Sequence, residues 1–169
     1  MTVLNTPRLR LRKPTDADRA GGVGFLMSHR SRFMGGPYGA DAARADWDMV
    51  CSMWAKCGFG LLVLTVTNDD RALGLAGPFM PEGHPEPELA WNLWDAANEG
   101  KGLATEAAIA ARDWAFAICR FPTMVSYIHP ENYRSAALAA RVGATLDADA
   151  PCPYPPPVLI YRHLPKGHL

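Results

Sequence analysis

The sequence has no excess of charge of either sign: 17 Lys and Arg stand against 17 Asp and Glu, for a formal net charge of +0 at pH 7. A chain so balanced has no global attraction for nucleic acid or for an acidic membrane surface, and neither partner is expected. The one basic run, Arg8, Arg10, Arg12 and Lys13, alternates with Leu9 and Leu11, the pattern of a strand with one solvated face. No apolar stretch approaches the length of a membrane span. No early segment joins basic residues to an uninterrupted apolar core, so a signal peptide is not expected. Cysteine is sparse, and Cys51, Cys57, Cys119 and Cys152 show no CxxC or other metal-ligand spacing. They read as small apolar residues of a reduced compartment, which points to a cytoplasmic protein. The five histidines are scattered, and no metal site is expected. Internal repeats, a domain linker and a GxxxxGK[ST] phosphate loop are also missing.

What is present suits one domain over residues 1–169 with a sizeable core: 49% of residues are apolar and 20% charged. Residues 8–12 are expected to form a first strand. Thr15, with Asp18 three residues on, reads as a capping pair for a helix that ends near His29, weakened by Gly21, Gly22 and Gly24. Residues 30–40 read as a loop. Asp41 is the expected cap of a second helix, whose apolar line is Ala43, Trp47, Val50 and Trp54 and whose end is Gly58 and Gly60. Nearly continuous apolar strands follow at 61–67 and 72–79, turned by Asn68, Asp69 and Asp70. A proline-marked connection then leads to residue 88. Further on lie a strand at 123–128, a helix at 132–142 closed by Gly143, a short strand at 145–147 and a proline segment at 151–157. A strand at 158–163 closes the pattern.

The stretch from Glu88 to Ala117 organises the rest. Residues 88–94 alternate as a strand, with Leu89, Trp91 and Leu93 on one face and Glu88, Ala90, Asn92 and Trp94 on the other. From Ala104 the period becomes helical. Gly100 and Gly102 lie between, where the backbone can approach a ligand just as unpaired helix amides and the helix dipole begin. Such a turn can cradle a phosphate, or it can be an ordinary strand-to-helix connection; the spacing alone does not choose.

Glu99-Gly100-Lys101-Gly102-Leu103-Ala104 resembles the pyrophosphate signature of the GNAT acetyltransferases, and Thr105-Glu106-Ala107 is similar to its continuation in the RimJ/RimL-like branch. A second block, Ile128 to Ser135 and on to Arg141-Val142-Gly143, resembles that branch's later motif. Two ordered motifs at plausible spacing are far more specific than either alone. The resemblance implies a mixed α+β, GNAT-like fold: a mostly antiparallel sheet of about seven strands, a V-shaped splay between the fourth and fifth, and about four flanking helices. It also implies acetyl transfer from acetyl-CoA to a primary amine, by direct attack in a ternary complex. Homodimers are common in the family.

On this sequence the resemblance assigns coenzyme A binding to Gly100, Lys101, Gly102, Leu103, Ala104 and Thr105, with Asn132 on the pantetheine arm. Asn92, Leu93 and Trp94 form the region whose amides would polarise the thioester oxygen. Glu88 is the candidate base and Ser135 the candidate acid toward the leaving thiolate. A solvated strand-end acid and a capped helix start account for Glu88, Asn132 and Ser135 equally simply. The acceptor is expected between the 30–40 loop, the Pro81–Pro87 connection and the proline segment, with Tyr38, Trp47, Trp54 and Tyr154 as candidate walls. Protein N-termini and small-molecule amines both remain open.

Three departures from the pattern stand out. Glu99 replaces the usual Gln or Arg and is expected to face solvent. Ala139 takes the place of a tyrosine that is catalytic in other branches, and Ala144 replaces a common aromatic. They leave open a non-catalytic acyl-CoA-binding or regulatory module on the same fold.

Overall fold

The computed structural model describes residues 3–165. Its strands are β1 (Val3–Asn5), β2 (Leu9–Arg12), β3 (Leu62–Val66), β4 (Asp69–Phe79), β5 (Glu88–Leu93), β6 (Met124–Ile128), β7 (Thr145–Leu146) and β8 (Leu159–His163). They form one sheet in the order β1-β2-β3-β4-β5-β6-β8-β7. Every pairing is antiparallel except that of β5 with β6. The helices are α1 (Arg19–Met27), α2 (Ala40–Cys57), α3 (Leu103–Trp114) and α4 (Tyr133–Arg141).

The mixed α+β sheet and its four helices agree with the expected class. The sheet has one strand more than the seven anticipated, because β1 is too short for a period to show. It is turned onto β2 by Thr6, whose N–H donates to the Leu9 carbonyl at 2.8 Å. On β2, Leu9 and Leu11 are buried as predicted, but Arg12 is not on a solvated face. It is buried and grips Asp18 with two hydrogen bonds, of 2.7 and 2.8 Å. The Thr15–Asp18 capping box is present, opening a short 3-10 turn that runs into α1.

The glycines of α1 have a packing role that composition hides. A Cβ on Gly22 would lie 2.2 Å from the Trp47 ring, and one on Gly21 would lie 2.6 Å from Trp94. Without them α1 could not lie against these two indoles. The supposed loop at 30–40 begins with a 3-10 turn over His29–Met34. The cap of α2 is Gly39 rather than Asp41, which sits in the first turn and pairs with Arg44 instead.

The core has two main layers. Leu9, Leu11, Leu64 and Leu89 meet Ala107 and Ala111 of α3 on one side of the sheet. Val63 and Leu75 meet Trp47 and Val50 of α2 on the other. Trp54 belongs to the first of these layers and donates from its indole N–H to Leu61, so it is a core residue and not an acceptor wall.

Candidate active site

Strand pairing sets the geometry of the site. β5 pairs with β4 over six residues, from Glu88↔Phe79 to Leu93↔Gly74. With β6 it pairs only at Glu88↔Val125, and the Val125 N–H donates to the Pro87 carbonyl at 3.0 Å. Beyond that point the parallel strands part. The Ser126 hydroxyl spans the start of the gap, donating to the Leu89 carbonyl at 2.6 Å and meeting His163 Nε2 at 2.9 Å. With the Ser126 proton so used, the His163 ring donates through Nε2. Burial pushes its pKa down to about 4, which keeps the ring neutral.

The carbonyls of Leu89 and Leu93 both turn into this gap, where Ser126 and Arg30 donate to them. The Trp94 N–H instead donates back to Leu73 at 2.9 Å. Peptide groups alternate sides along a strand, so the Trp91 and Leu93 amides face the gap and the Asn92 amide faces β4. The Asn92 side chain is also committed to β4, accepting the Leu75 N–H at 3.1 Å. Of the three residues singled out for the thioester oxygen, Leu93 therefore presents its amide to the gap. Trp91 joins it, which strand alternation could have indicated.

The turn before α3 has left-handed backbone at Gly100 (φ 72°) and Gly102 (φ 75°), where other residues are strained. Glu106 is the first amide of the helix ladder, donating to the Gly102 carbonyl at 3.0 Å. The amides of Leu103, Ala104 and Thr105 precede it, at the positive end of the helix dipole. Arg8 braces this turn from outside, 2.7 Å from the Lys101 carbonyl and 2.6 Å from Glu106.

Across the gap, Asn132 caps α4, its Oδ1 accepting the Ser135 N–H at 3.3 Å. The Ser135 hydroxyl makes no hydrogen bond to any described residue. Ala139 is fully buried beside Ile128 and Ala144, so no side chain from that position reaches the site.

A cleft of about 2250 Å³ joins these parts, more than twice the roughly 1,000 Å³ upper range of pockets for a single drug-sized ligand. Every residue singled out from the sequence lines it except Lys101, which is exposed, and Trp54, which is in the core. Glu88 lies where the strands begin to part. Burial raises its pKa to about 8, opposed by a hydrogen bond that its carboxylate accepts from the Tyr127 N–H. Tyr127 stacks edge-on with Tyr154, and the Tyr154 hydroxyl meets His84 Nε2 at 3.1 Å. Two of the three segments expected to flank the acceptor, the Pro81–Pro87 connection and the proline segment, thus meet beside Glu88.

Glu99 does not face solvent freely. It takes Arg30 at 2.5 Å on one oxygen and Arg134 on the other, and its carboxyl pKa is lowered, chiefly by the Arg30 hydrogen bond. Neither arginine was singled out from the sequence. An acid in a position that usually holds a neutral or basic residue was the available signal that cations had to lie nearby. Open amides, two left-handed glycines and a neutralised acid are suited to a diphosphate.

A family model described as "Acetyltransferase (GNAT) domain" matches residues 8–145. The chain belongs to the GNAT acetyltransferase family. GNAT proteins use acetyl-CoA, and the chain is an acyltransferase by this membership. It is similar to the crystal structure of an acetyltransferase from Agrobacterium tumefaciens strain C58, with 39% identity, a TM-score of 0.91, and 96% of this chain and 94% of that one covered. Two more distant structures share the GNAT fold. One is the RimL ribosomal L7/L12 α-N-protein acetyltransferase in complex with coenzyme A (14% identity, TM-score 0.75, 97% and 98% covered). The other is the ribosomal-protein-S5-alanine acetyltransferase from Vibrio fischeri (15% identity, TM-score 0.73, 99% and 98% covered). Among the described residues, no group of His, Cys, Asp and Glu could hold a metal ion, and no helix is long and apolar enough to cross a membrane.

Proposed function

We propose that this GNAT protein is a cytoplasmic N-acetyltransferase of the RimJ/RimL-like branch, one domain over its 169 residues, that acetylates a primary amine by direct attack in a ternary complex. One observation carries the reading. A single cleft runs from a helix start with open amides, through the gap between β5 and β6, to a desolvated carboxyl at Glu88. An anionic cosubstrate suits the first end and a basic amine the second.

In this reading the amides of Leu103, Ala104 and Thr105 hold the diphosphate of coenzyme A, with Gly100 and Gly102 permitting close approach, and Asn132 binds the pantetheine arm. Acetyl-CoA supplies the activated acyl group. The gap-facing amides of Leu93 and Trp91 stabilise negative charge as it develops on the thioester oxygen, in a site where little reorganisation is needed. Glu88, ionised, takes the proton that the amine must lose, directly or through water. A carboxyl near 8 is a far better base for an ammonium than an ordinary glutamate. Ser135, whose hydroxyl has no other partner among the described residues, gives a proton to the departing thiolate. Lys101 stays at the rim and contributes its backbone only.

Initial velocities with both substrates varied test the mechanism. Direct attack predicts intersecting double-reciprocal lines, with one free thiol per acetylated amine. Parallel lines, the signature of an acyl-enzyme, would overturn it.

A further inference from the structure

The cleft is electrically polarised, and its acceptor end holds a second carboxylate that the acetyl-transfer reading does not use. Three aspartates lie on α2: Asp41, Asp46 and Asp48. Asp41 pairs with Arg44 at 3.0 Å and Asp48 with Arg19 at 2.5 Å, both at the surface. Asp46 lines the cleft, is half-buried, and has no hydrogen bond or ion pair with any described residue. Its neighbour Tyr38, also on the cleft wall, cannot serve it as a donor because the phenol donates to the Met34 carbonyl. Glu88 likewise has no cation among the described residues, and its carboxylate accepts only from the Tyr127 N–H there.

The two acids act on tyrosines of the same cleft wall: burial and then the field of Asp46 raise the Tyr38 pKa, and the field of Glu88 adds to the rise that burial causes at Tyr154. The cleft's cations lie elsewhere. Arg30 and Arg134 are tied to Glu99 beside the cradle, Arg32 lies over the Phe33 ring, donating to the His29 carbonyl, and Arg141 lies in the last turn of α4. Two carboxylates without a cation, on a cleft wall that also carries Tyr38, Tyr127 and Tyr154, make a receptor for two cationic groups, since a desolvated acid gains most from a cation and an aromatic face also attracts one.

We propose that Asp46 determines acceptor specificity, binding a second cationic group of the amine whose first nitrogen is acetylated at Glu88. The acceptor is then an amine with a further ammonium or guanidinium group. Aromatic walls suit the alkyl spacer between the two charges. This inference rests on reading the cleft as an acetyl-acceptor site. A monoamine fills only the Glu88 end and leaves Asp46 without its cation.

The test uses straight-chain α,ω-diamines, from diaminopropane to diaminooctane, against alkylamines of the same chain lengths. Turnover and calorimetric binding to the CoA-saturated protein are both measured. The best diamine is expected to exceed its matched monoamine at least tenfold in kcat/KM and in affinity. Asp46→Asn is expected to collapse that ratio to near one by raising the diamine KM, and Asp46→Glu to restore part of it. CoA affinity of each variant reports folding. Should Asp46→Asn fail to fold, the wild-type ratio alone decides, and a ratio near one at every chain length overturns the proposal. So does a preference that persists in a folded Asp46→Asn protein. If diamines bind in an Asp46-dependent way but no amine is acetylated, the specificity reading stands and the transferase reading falls.

Discussion

Arg30 Nη2 lies 2.5 Å from Glu99 Oε1 and 2.9 Å from the Leu93 carbonyl, so one guanidinium ties the turn before α3 to the end of β5. Arg134 holds the other Glu99 oxygen from α4. Glu99 thus occupies two arginines at the point where the diphosphate is proposed to sit.

Substituting Glu99 by Gln frees both guanidinium groups for the diphosphate. Partly exposed ion pairs are each worth about 0–1 kcal/mol, so Glu99→Gln is expected to tighten CoA binding by roughly two- to fivefold. The gain should shrink as salt is raised, because the freed charges are screened. Calorimetry at low and high ionic strength measures it. A weakening at low salt would show that Glu99 positions the arginines for CoA and does not compete with it.

The cradle itself is tested at Gly102. With φ at 75°, a branched residue there strains the turn, and its side chain would project toward Arg8, whose Nη2 lies 3.4 Å from the ideal Cβ position. Gly102→Val is expected to lower CoA affinity at least tenfold, about 1.4 kcal/mol, with the fold retained by circular dichroism. Wild-type affinity in a folded variant would remove the phosphate-cradle assignment.

Glu88 makes both rate and stability depend on pH. A base with a pKa near 8 is mostly protonated at pH 7, so kcat/KM should climb with pH and level off above about 8. Glu88→Gln is expected to abolish that limb and to lower the rate by about 10²–10⁴-fold. The stability effect runs in the opposite direction. An ordinary Glu ionises near 4.5 and this one near 8, so the folded state holds the extra proton between those values. Stability therefore falls as pH rises through that window. Thermal melts at pH 5 and pH 8 should show a drop that Glu88→Gln reduces. A pH-independent rate would exclude Glu88 as the base.

Much of this site was legible because it lies on regular elements. The period-two pattern of residues 88–94 put Glu88 on the face it occupies, and Gly100 and Gly102 marked the turn before α3. What escaped the sequence depends on tertiary approach. Arg30 and Arg134 meet Glu99 only after α1, α3 and α4 are packed, at sequence separations of 69 and 35 residues. Gly21 and Gly22 looked like weaknesses in a helix until Trp94 and Trp47 came to lie over them. Asp46 could not be told from Asp41 and Asp48 on α2, since only folding decides which aspartate loses access to an arginine.

Ser135 separates a chemical role from a structural one. Asn132 Oδ1 caps the α4 start through the Ser135 amide, so the hydroxyl is free of that duty. Ser135→Ala is expected to lower kcat by about 10²-fold, at the low end for general acids because a CoA thiolate leaves readily. CoA affinity and denaturation midpoint should stay near wild type. Asn132→Ala, by contrast, should lose about 1 kcal/mol of stability with the cap. A normal kcat for Ser135→Ala would take that residue out of the reaction.

The most direct measurement of the central claim is an acceptor screen with acetyl-CoA, following free thiol and product mass together. The panel holds peptides with free N-termini, alkylamines and diamines. The account predicts that at least one amine releases thiol in step with a product heavier by one acetyl group, and that Glu88→Gln suppresses both signals. Tight CoA binding with no thiol release above the acceptor-free rate for any amine would contradict it, leaving an acyl-CoA-binding module on a GNAT fold.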